Sequence, residues 1–599
     1  MDAHRWRLRT APHDDGAGFA GALACLARKL DAADRSADAA TAREEAVGIY
    51  RRLAQVNPVT YTPELGSLLD ELTRYRGGDV DLLGEAVEVH RRLAEVDMAE
   101  YGPKLARAGD SLSVALHRAG RRAEAVVAAG EHVEVVRRLA ATDPAYTADL
   151  ASACHSLYRH LWTAGRRDEA VAALREAAEV ERRLVSADPA RAELRFEPAD
   201  RYADLAQTLA TLGRRLAEVG RRDEAAVARE EAVTAWEPAL EDYRQRVDDD
   251  PATYGRRLRT ALAELGRLLA ALDRREEAVA VQEEAVALCR RLAGEDWYAH
   301  ADGLCAALND LGDLLVDLGR PEEALAARQE RIRIYRDLAR MDPGTYESYL
   351  AGALAALGKW LLDLGRYPEG RTVCREAVEI YRRLADDDSG GEGGLAMALN
   401  NLGAHLNRLG RPHKALAATE EAVEIWRRKA AAHPDVYADE LATALLNLAV
   451  GQGGLGRHEE ALAANEEALA IYRRLAGTEP AEHEPFLCTA LNNFACTVSR
   501  TGAHDKALAA SAEAVAIGRR LVATNPAVHR PGLALALWSF AEVRVAARRD
   551  LDAALTAMAE SVAMYQVLAE EIPAAYADNL VGARDTLAEI REARAASKM

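Results

Sequence analysis

The sequence is poor in aromatic residues and has no long apolar run. Phe, Trp and Tyr make up 5% of its 599 residues although 49% are hydrophobic, so alanine, leucine and valine supply most of the apolar content. Such residues suit the close packing of helices. No segment reaches the roughly 20 apolar residues that a membrane span needs, and residues 17–27 are interpreted as the first helix of the fold. We therefore expect no membrane partner.

Long basic stretches and paired cysteine motifs are also missing. The formal net charge is −19, and binding to nucleic-acid phosphates needs a basic face, so we expect no nucleic-acid partner. The cysteines form no CxxC pair, which indicates reduced, buried side chains in a cytoplasmic protein rather than disulfides or metal ligands. All seven are expected in buried helical positions: Cys25, Cys154, Cys289, Cys305, Cys374, Cys488 and Cys496.

The sequence contains no motif that cradles phosphates or carries out hydrolysis. It has no glycine-rich loop ending in Gly-Lys-Ser/Thr, no HExxH and no GxSxG. Its Glu-Glu pairs, such as Glu44-Glu45, recur along the chain and therefore indicate a solvated helix face rather than a general acid and base. We predict a noncatalytic protein without a cofactor or a metal site.

A phrase similar to residues 44–53 (EEAVGIYRRL) recurs along the chain, mostly every 45 to 47 residues. The residue that follows its acidic pair gives twelve anchor positions: Ala46, Ala86, His132, Ala177, Ala232, Ala285, Arg331, Ala377, Ala422, Ala468, Ala514 and Ser561. A fixed period in this range is typical of a solenoid, in which each unit buries its apolar face against its neighbours. The sequence therefore predicts one repeat array rather than several independent domains.

Each repeat carries the pattern of two helices joined by a glycine. In residues 395–434, apolar side chains recur at spacings of three and four, which places them on one side of a first helix: Leu399, Leu402, Leu406 and Leu409. Gly410 can end that helix with a positive φ, Pro412 suits the first turn of a second helix, and Pro434 ends it. Arginine pairs near the ends of second helices, such as Arg382-Arg383, indicate dipole and salt-bridge roles rather than phosphate binding.

Two segments depart from the repeat. About nine extra residues fall near 188–198 and about seven near 238–250, so we expect the second helix of the fifth repeat to be longer, with a kink at Pro238. The segment Ser389–Gly394 (SGGEGG) predicts a mobile joint. The predicted organisation is an N-terminal tail, four repeats, an irregular fifth repeat, seven further repeats, and a capping helix with a tail: 1–18, 19–190, 191–256, 257–573 and 574–599.

The small and large residues of one unit resemble the tetratricopeptide repeat. Leu402-Gly403, Ala415 twelve residues later and Ala422 seven beyond that match the family pattern. The usual unit has about 34 residues, so the longer period here is more similar to the repeats of kinesin light chains and of many bacterial proteins. The resemblance implies an all-α fold, an α-solenoid of about twelve helical hairpins that forms a superhelix and ends in a C-terminal capping helix.

Polar residues on the first helices form the predicted site. Six asparagines stand two or three residues before the Leu-Gly glycine position: Asn309, Asn400, Asn401, Asn447, Asn492 and Asn493. The resemblance implies that this part of the first helix lines a concave groove, where amides can hold the backbone of an extended peptide. Three further residues extend the surface, the arginines being suited to a carboxylate: Asn407, Arg408 and Arg500.

We expect a protein or peptide partner, which makes the chain a scaffold or adaptor centred on repeats seven to eleven. One alternative is that the amides only satisfy polar groups between neighbouring helices. Two other functions are compatible with the array: a regulatory or sensor subunit of a separately encoded bacterial signalling or defence enzyme, and self-assembly through the convex face. Gly451, Gly453 and Gly454 either admit a ligand backbone, permit a tight helix contact or end the helix early.

Overall fold

The computed structural model describes residues 15–76, 78–186, 197–386 and 391–597, which form two compact units, one up to Pro321 and one from Glu322. The helices of the first unit are α1 (Asp15–Asp31), α2 (Ser36–Val56), α3 (Pro58–Tyr75), α4 (Val80–Val96), α5 (Met98–Arg118), α6 (Arg122–Thr142), α7 (Thr147–Thr163), α8 (Arg167–Ser186), α9 (Pro198–Glu218), α10 (Arg222–Arg246), α11 (Pro251–Ala271), α12 (Arg275–Glu295) and α13 (Trp297–Asp317). Those of the second unit are α14 (Pro321–Met341), α15 (Pro343–Asp363), α16 (Tyr367–Asp386), α17 (Glu392–Arg408), α18 (Pro412–Ala432), α19 (Pro434–Gly454), α20 (His458–Thr478), α21 (Pro480–Arg500), α22 (His504–Thr524), α23 (Pro526–Ala547), α24 (Leu551–Glu571) and α25 (Pro573–Ser597).

Helices that follow one another pack together within each unit, which confirms the predicted all-α solenoid. Odd-numbered helices from α1 to α23 are the first helices of the twelve repeats, and even-numbered helices are the second helices. The last helix, α25, packs Leu587 and Ile590 into a core shared with α23 and α24, where Tyr565 and Leu568 are buried. No helix within the described ranges is long and apolar enough to cross a membrane.

The predicted helix boundaries are confirmed in the repeat built from α17 and α18. Leu409 caps α17 through a backbone hydrogen bond to His405, and Gly410 then turns the chain with a φ of +67°. Pro412 begins α18, where its missing N–H leaves no hydrogen bond unmade. Glycine takes the same left-handed conformation in the equivalent turns: Gly120, Gly165, Gly220, Gly319, Gly365, Gly456 and Gly502.

Small residues at two positions let the helices of a hairpin approach closely. The anchor alanine is fully buried in most repeats, as Ala377, Ala422 and Ala468 are. The Leu-Gly glycine meets the partner helix directly, since a Cβ at Gly403 would lie 2.5 Å from Cγ2 of Thr419. The recurring Leu-Gly and alanine positions are therefore the contact between the two helices of each hairpin.

The arginine pairs join neighbouring helices through carboxylates, as predicted. Arg382 donates to Glu421 of the next second helix at 2.7 Å, while Arg383 donates to Glu347 of its own first helix at 2.7 Å. Ion pairs between successive second helices recur along the array: Arg51–Glu85, Arg91–Glu131, Arg137–Glu176, Arg244–Glu284, Arg336–Glu376, Arg427–Glu467, Arg473–Glu513 and Arg519–Glu560. These exposed pairs each contribute little to stability.

The second helix of the fifth repeat is longer than that of the sixth. It is α10, which spans 25 residues, whereas α12 spans 21, so the difference is about one helical turn. Pro238 lies inside α10 without ending it, and a kink there stays a prediction. Most of the predicted insertion near 188–198 lies outside the described residues.

Part of the predicted joint at Ser389–Gly394 also lies outside the described residues, but Glu392 begins α17 and is followed by helix. A Cβ at Gly394 would overlap the ring of Tyr381, so this glycine serves the packing of α17 against α16. At the N-terminus, α1 begins at Asp15, inside the segment predicted as a tail. One cysteine expectation is wrong, because Cys25 is exposed and Cys496 is only half-buried, whereas the other five are buried.

Candidate functional site

The first helices form the inner face of the second unit. Contacts join α15 to α17, α17 to α19, α19 to α21 and α21 to α23, and no comparable series joins successive second helices within the described ranges. Long arginine and glutamate side chains bridge the second helices instead. Because the first helices lie closer together, the array curves with these helices on the inside.

Amides on α17 and α19 join successive repeats. Asn447 Nδ2 donates to Asn400 Oδ1 at 2.9 Å, and Asn401 Nδ2 donates to the carbonyl of Ala355 at 3.2 Å. In both cases an amide two residues before the Leu-Gly position reaches back to the residue three before that position in the preceding repeat. Asn400, Asn401 and Asn447 therefore satisfy polar groups between helices, which is the alternative to ligand binding noted for the sequence.

This pattern is interrupted on both sides of α21. Asn493 is the next amide in the series, but the residue it would reach is Leu446, and Asn493 makes no side-chain hydrogen bond to a described residue. Asn492 is 4% exposed, and its Oδ1 has no partner within the described part of the chain. The residue that would donate to it is Ser539, whose hydroxyl pairs with the thiol of Cys496. In repeat eleven, the Asn493 amide and Asn492 Oδ1 therefore form no side-chain hydrogen bond with a described residue.

A row of side chains marks the ends of the first helices. These terminal-row residues stand five positions after the Leu-Gly position, at the last residues of α15, α17, α19 and α21: Asp363, Arg408, Gly454 and Arg500. Arg408 and Arg500 are exposed and form no ion pair with a described residue. Arginines of the second helices are mostly neutralised by glutamates, so these two cations are distinctive.

The glycines of α19 lie between the polar ends of α17 and α21. A Cβ at Gly451 would lie 3.8 Å from Nδ2 of Asn407, and one at Gly453 would lie 4.0 Å from Nη1 of Arg500. These are ordinary contacts, so packing within the unit does not demand glycine at either position. The helix continues to Gly454, so early termination at Gly451 is wrong. Asn407 and Arg500 therefore approach the same bare turn of α19.

Acidic groups border this surface on α23. Trp538 Nε1 donates to the Glu542 carboxylate at 3.1 Å. Desolvation raises the pKa of Glu542, while the Trp538 bond and the positive charge of Arg500 act in the opposite direction. The charges of Arg500 on α21 and Glu542 on α23 therefore influence each other.

The cap helix α25 contributes to the same inner face. Desolvation raises the pKa of Tyr576, the charges of Asp363 and Tyr367 add to the increase, and Arg408 opposes it. The phenol of Tyr576 on α25 is therefore influenced by the charges of Asp363 and Arg408, the last residues of α15 and α17.

The nine predicted site residues therefore divide into two sets. Five are buried or engaged within the protein, including Asn309 in the first unit, whose Nδ2 donates to Asp313 at 3.2 Å: Asn309, Asn400, Asn401, Asn447 and Asn492. Four offer side chains on the inner face of the second unit: Asn407, Arg408, Asn493 and Arg500. Sequence reasoning missed four neighbours, Asp363, Trp538, Glu542 and Tyr576. Asp363 could have been predicted from the sequence, because this residue lies in the terminal row with Arg408.

One cluster among the described residues has donor atoms close enough together for a metal ion. Glu479, Glu482 and His483 lie where α21 begins, with both glutamates exposed. Exposed acidic groups commonly occur together without an ion, and these side chains lie outside the inner face. They support no metal centre here.

Comparison with family models identifies the repeats. Residues 349–428, 394–474 and 258–296 match models described as tetratricopeptide repeat. Residues 300–342 and 475–524 match the model for anaphase-promoting complex subunit 5. No curated protein matches the sequence.

Several solved structures are similar to this chain at low identity. A putative kinesin light chain with TPR-like repeats from Podosopora anserina is 15% identical, with a TM-score of 0.28 over 37% of this chain and 96% of that one. The signal transduction ATPase with a tetratricopeptide repeat sensor from Pyrococcus horikoshii is 15% identical, with a TM-score of 0.36 over 62% and 54%. A Rap protein complexed with competence and sporulation factor is 14% identical, with a TM-score of 0.35 over 64% and 99%. These likenesses carry no functional argument, whereas the family matches identify tetratricopeptide repeats in residues 258–296 and 349–474 of this chain.

Proposed function

We propose that the chain is a noncatalytic adaptor that binds an extended peptide segment of a partner protein along the inner face of the second unit. The binding surface comprises Asn407, Arg408, Asn493 and Arg500. The observation that carries this proposal is the interrupted amide pattern of repeat eleven, where Asn493 makes no side-chain hydrogen bond and Arg500 makes no ion pair with a described residue. A peptide backbone supplies both an acceptor and a donor.

Each side chain has a distinct role in the proposed complex. The Asn493 amide can donate to a peptide carbonyl and accept from a peptide N–H, which holds the backbone without selecting a sequence. The guanidinium groups of Arg408 and Arg500 match a carboxylate, either of an acidic side chain or of a peptide C-terminus. Gly453, which is half-buried and carries no side chain, leaves room for the peptide beside Arg500.

The charge of the binding surface determines which class of peptide it favours. Arg408 and Arg500, which form no ion pair with a described residue, favour an acidic segment, and Glu542 disfavours a carboxylate placed beyond Arg500 towards α23. An acidic peptide that runs from α17 towards α21 therefore places its negative charges at Arg408 and Arg500. Basic peptides gain no such contacts at Arg408 or Arg500.

Selection from a random peptide library with free C-termini tests this proposal on the full-length protein. We expect acidic peptides to be selected, and Asn493→Ala to weaken the best of them about tenfold, since a hydrogen bond to a peptide contributes about 1 kcal/mol or more. Arg375→Ala is a matched control, because Arg375 is an exposed arginine of α16 that pairs only within its helix, with Glu379. Selection of no peptide, or equal affinity for both variants, contradicts the proposal.

A further inference from the structure

One repeat places an acid where seven others place a tyrosine or tryptophan ring. Four residues after the anchor, seven repeats carry tyrosine or tryptophan: Tyr50, Trp236, Tyr335, Tyr381, Trp426, Tyr472 and Tyr565. Tyr472 is fully buried, and its hydroxyl lies 2.6 Å from Oγ1 of Thr443 on its own first helix. The fourth repeat has Glu181 instead. Its side chain is smaller than a tyrosine ring, and it carries a charge into the space that the ring fills elsewhere.

A cavity of about 430 Å³ lies at this position in the first unit. It is lined by Glu181 of α8, by Ser152 and His155 of α7, and by Arg201, Asp204 and Thr208 of α9. The volume falls within the range of about 300–1,000 Å³ that is usual for small-ligand pockets. The missing ring therefore leaves a polar chamber between two first helices.

Glu181 is buried in the wall of this cavity and is only half satisfied. Its Oε1 lies 3.3 Å from Nε2 of His155, whereas its Oε2 is buried without a partner within the described residues. The residue is 5% exposed. A buried carboxylate oxygen that lacks a donor is costly, so a ligand that supplies an N–H group there gains from relieving it.

The residues around Glu181 do not form a proton relay. Nε2 of His155 contacts both Oγ1 of Thr208, at 2.9 Å, and the Glu181 carboxylate. A relay needs the acid and the hydroxyl on opposite ring nitrogens, because the acid must orient the ring while the other nitrogen takes the proton. The cluster is therefore arranged to hold a group rather than to activate Thr208.

The charges of the cavity define the group it can hold. Arg201 directs Nη1 to the carbonyl of Leu184 at 3.3 Å, at the end of α8. Asp204 brings a second carboxylate to the lining, and desolvation, Glu181 and Asp200 together raise its pKa to about 6, with His155 opposing. Two carboxylates in one chamber repel each other, and a cation between them removes the repulsion.

We propose that this cavity binds a ligand bearing a primary ammonium or guanidinium group, whose N–H donors engage Glu181 Oε2 and the Asp204 carboxylate. The site lies in the first unit and is separate from the peptide surface proposed on the second unit. The cation is either a free small amine or the lysine or arginine side chain of a partner. Both sources present the same donors to Glu181.

Isothermal titration of the full chain with agmatine, which carries both cationic groups, tests the site. We expect one bound agmatine, a loss of about tenfold or more in affinity for Glu181→Gln, and no binding to Glu181→Tyr, which introduces the ring that seven other repeats carry. Glu179→Gln is the matched control, because Glu179 is an exposed acid on the same helix; its affinity should be unchanged. 1,5-Pentanediol, a neutral chain of similar length, should not bind.

A second titration distinguishes the two sources of the cation. The blocked peptide acetyl-Gly-Arg-Gly-amide is compared with its neutral citrulline analogue. Tighter binding of agmatine than of the arginine peptide supports a free amine, and the reverse order supports a partner side chain. The proposal is overturned if neither cation binds the wild type. It is also overturned if the Glu181→Gln variant binds both cations as tightly as the wild type does, because diffuse attraction to the net charge of −19 then explains the binding. Circular dichroism checks that the Glu181→Tyr variant folds. If that variant does not fold, the ratio of the affinities of Glu181→Gln and the wild type for the cation decides.

Discussion

Asn447 and Asn400 form a hydrogen bond of 2.9 Å that joins the first helices of repeats nine and ten. Asn447→Ala removes the donor and leaves Asn400, which is 8% exposed, without it. We expect the free energy of unfolding to fall by about 1–2 kcal/mol, the usual cost of an unsatisfied buried acceptor. Urea unfolding followed by circular dichroism measures the change.

Asn493→Ala is the matched control for this bond. Asn493 has the same register as Asn447 but makes no side-chain hydrogen bond to a described residue. Its replacement should change stability by less than about 0.5 kcal/mol. Equal effects of the two substitutions would mean that the Asn447–Asn400 bond contributes nothing to stability.

Gly370 of α16 is predicted to be intolerant of a side chain. A Cβ there would overlap the ring of His405, which is fully buried and whose Nε2 lies 2.8 Å from the carbonyl of Gly358. Gly370→Ala should therefore destabilise the protein by about 1–3 kcal/mol. Gly477→Ala in α20, where the added Cβ meets nothing within 4 Å, should be neutral or stabilising. Thermal melting of both variants tests the contrast, and equal melting temperatures would count against the His405 contact.

The pKa of Asp204 gives the first unit a pH-dependent stability. Its folded-state pKa is raised from 3.8 to about 6, so the folded state holds this proton more tightly than the unfolded state. The contribution to stability therefore falls as the pH rises from about 4 to 6, and the full penalty is present above that range. Asp204→Asn removes the titration, so its advantage in melting temperature over the wild type should grow between pH 4 and 7. A constant difference would contradict the shift.

Thiol labelling of the native protein should divide the cysteines by exposure. Cys25 is exposed, whereas burial raises the pKa of Cys154 to about 12 and that of Cys289 to about 11. The thiolate is the reactive form, so both buried residues are slow at neutral pH. Mass spectrometry after a short exposure to iodoacetamide should find Cys25 modified first. Early modification of Cys154 would show that α7 opens readily.

The hairpins could be predicted from the sequence because their determinants are local. Gly410, Pro412 and Ala422 each act within one repeat. Similar residues occur at the equivalent positions of most other repeats, so the same prediction applies along the chain. The length of α10 was less predictable. Extra residues in one period can extend a helix or a connection, and spacing alone does not separate the two.

The site was less predictable because its residues depend on neighbours one repeat or more away. The amide of Asn493 differs from that of Asn447 only through Leu446, which stands where Asn400 stands in the preceding repeat. Comparing one register position across all repeats would have shown this difference, as well as Glu181. No spacing rule predicts the electrostatic influence of Asp363 on Tyr576, since the two residues lie far apart in the sequence.

The affinity of the best selected acidic peptide for the double variant Arg408→Ala, Arg500→Ala tests the central claim most directly. Each charge-assisted hydrogen bond contributes about 1.5–3 kcal/mol, so we predict that Kd rises by at least about a hundredfold while circular dichroism and melting stay unchanged. Amidation of the peptide C-terminus should weaken binding only where that terminus supplies a carboxylate. A Kd within about twofold of that of Arg375→Ala would contradict peptide binding at the inner face of the second unit.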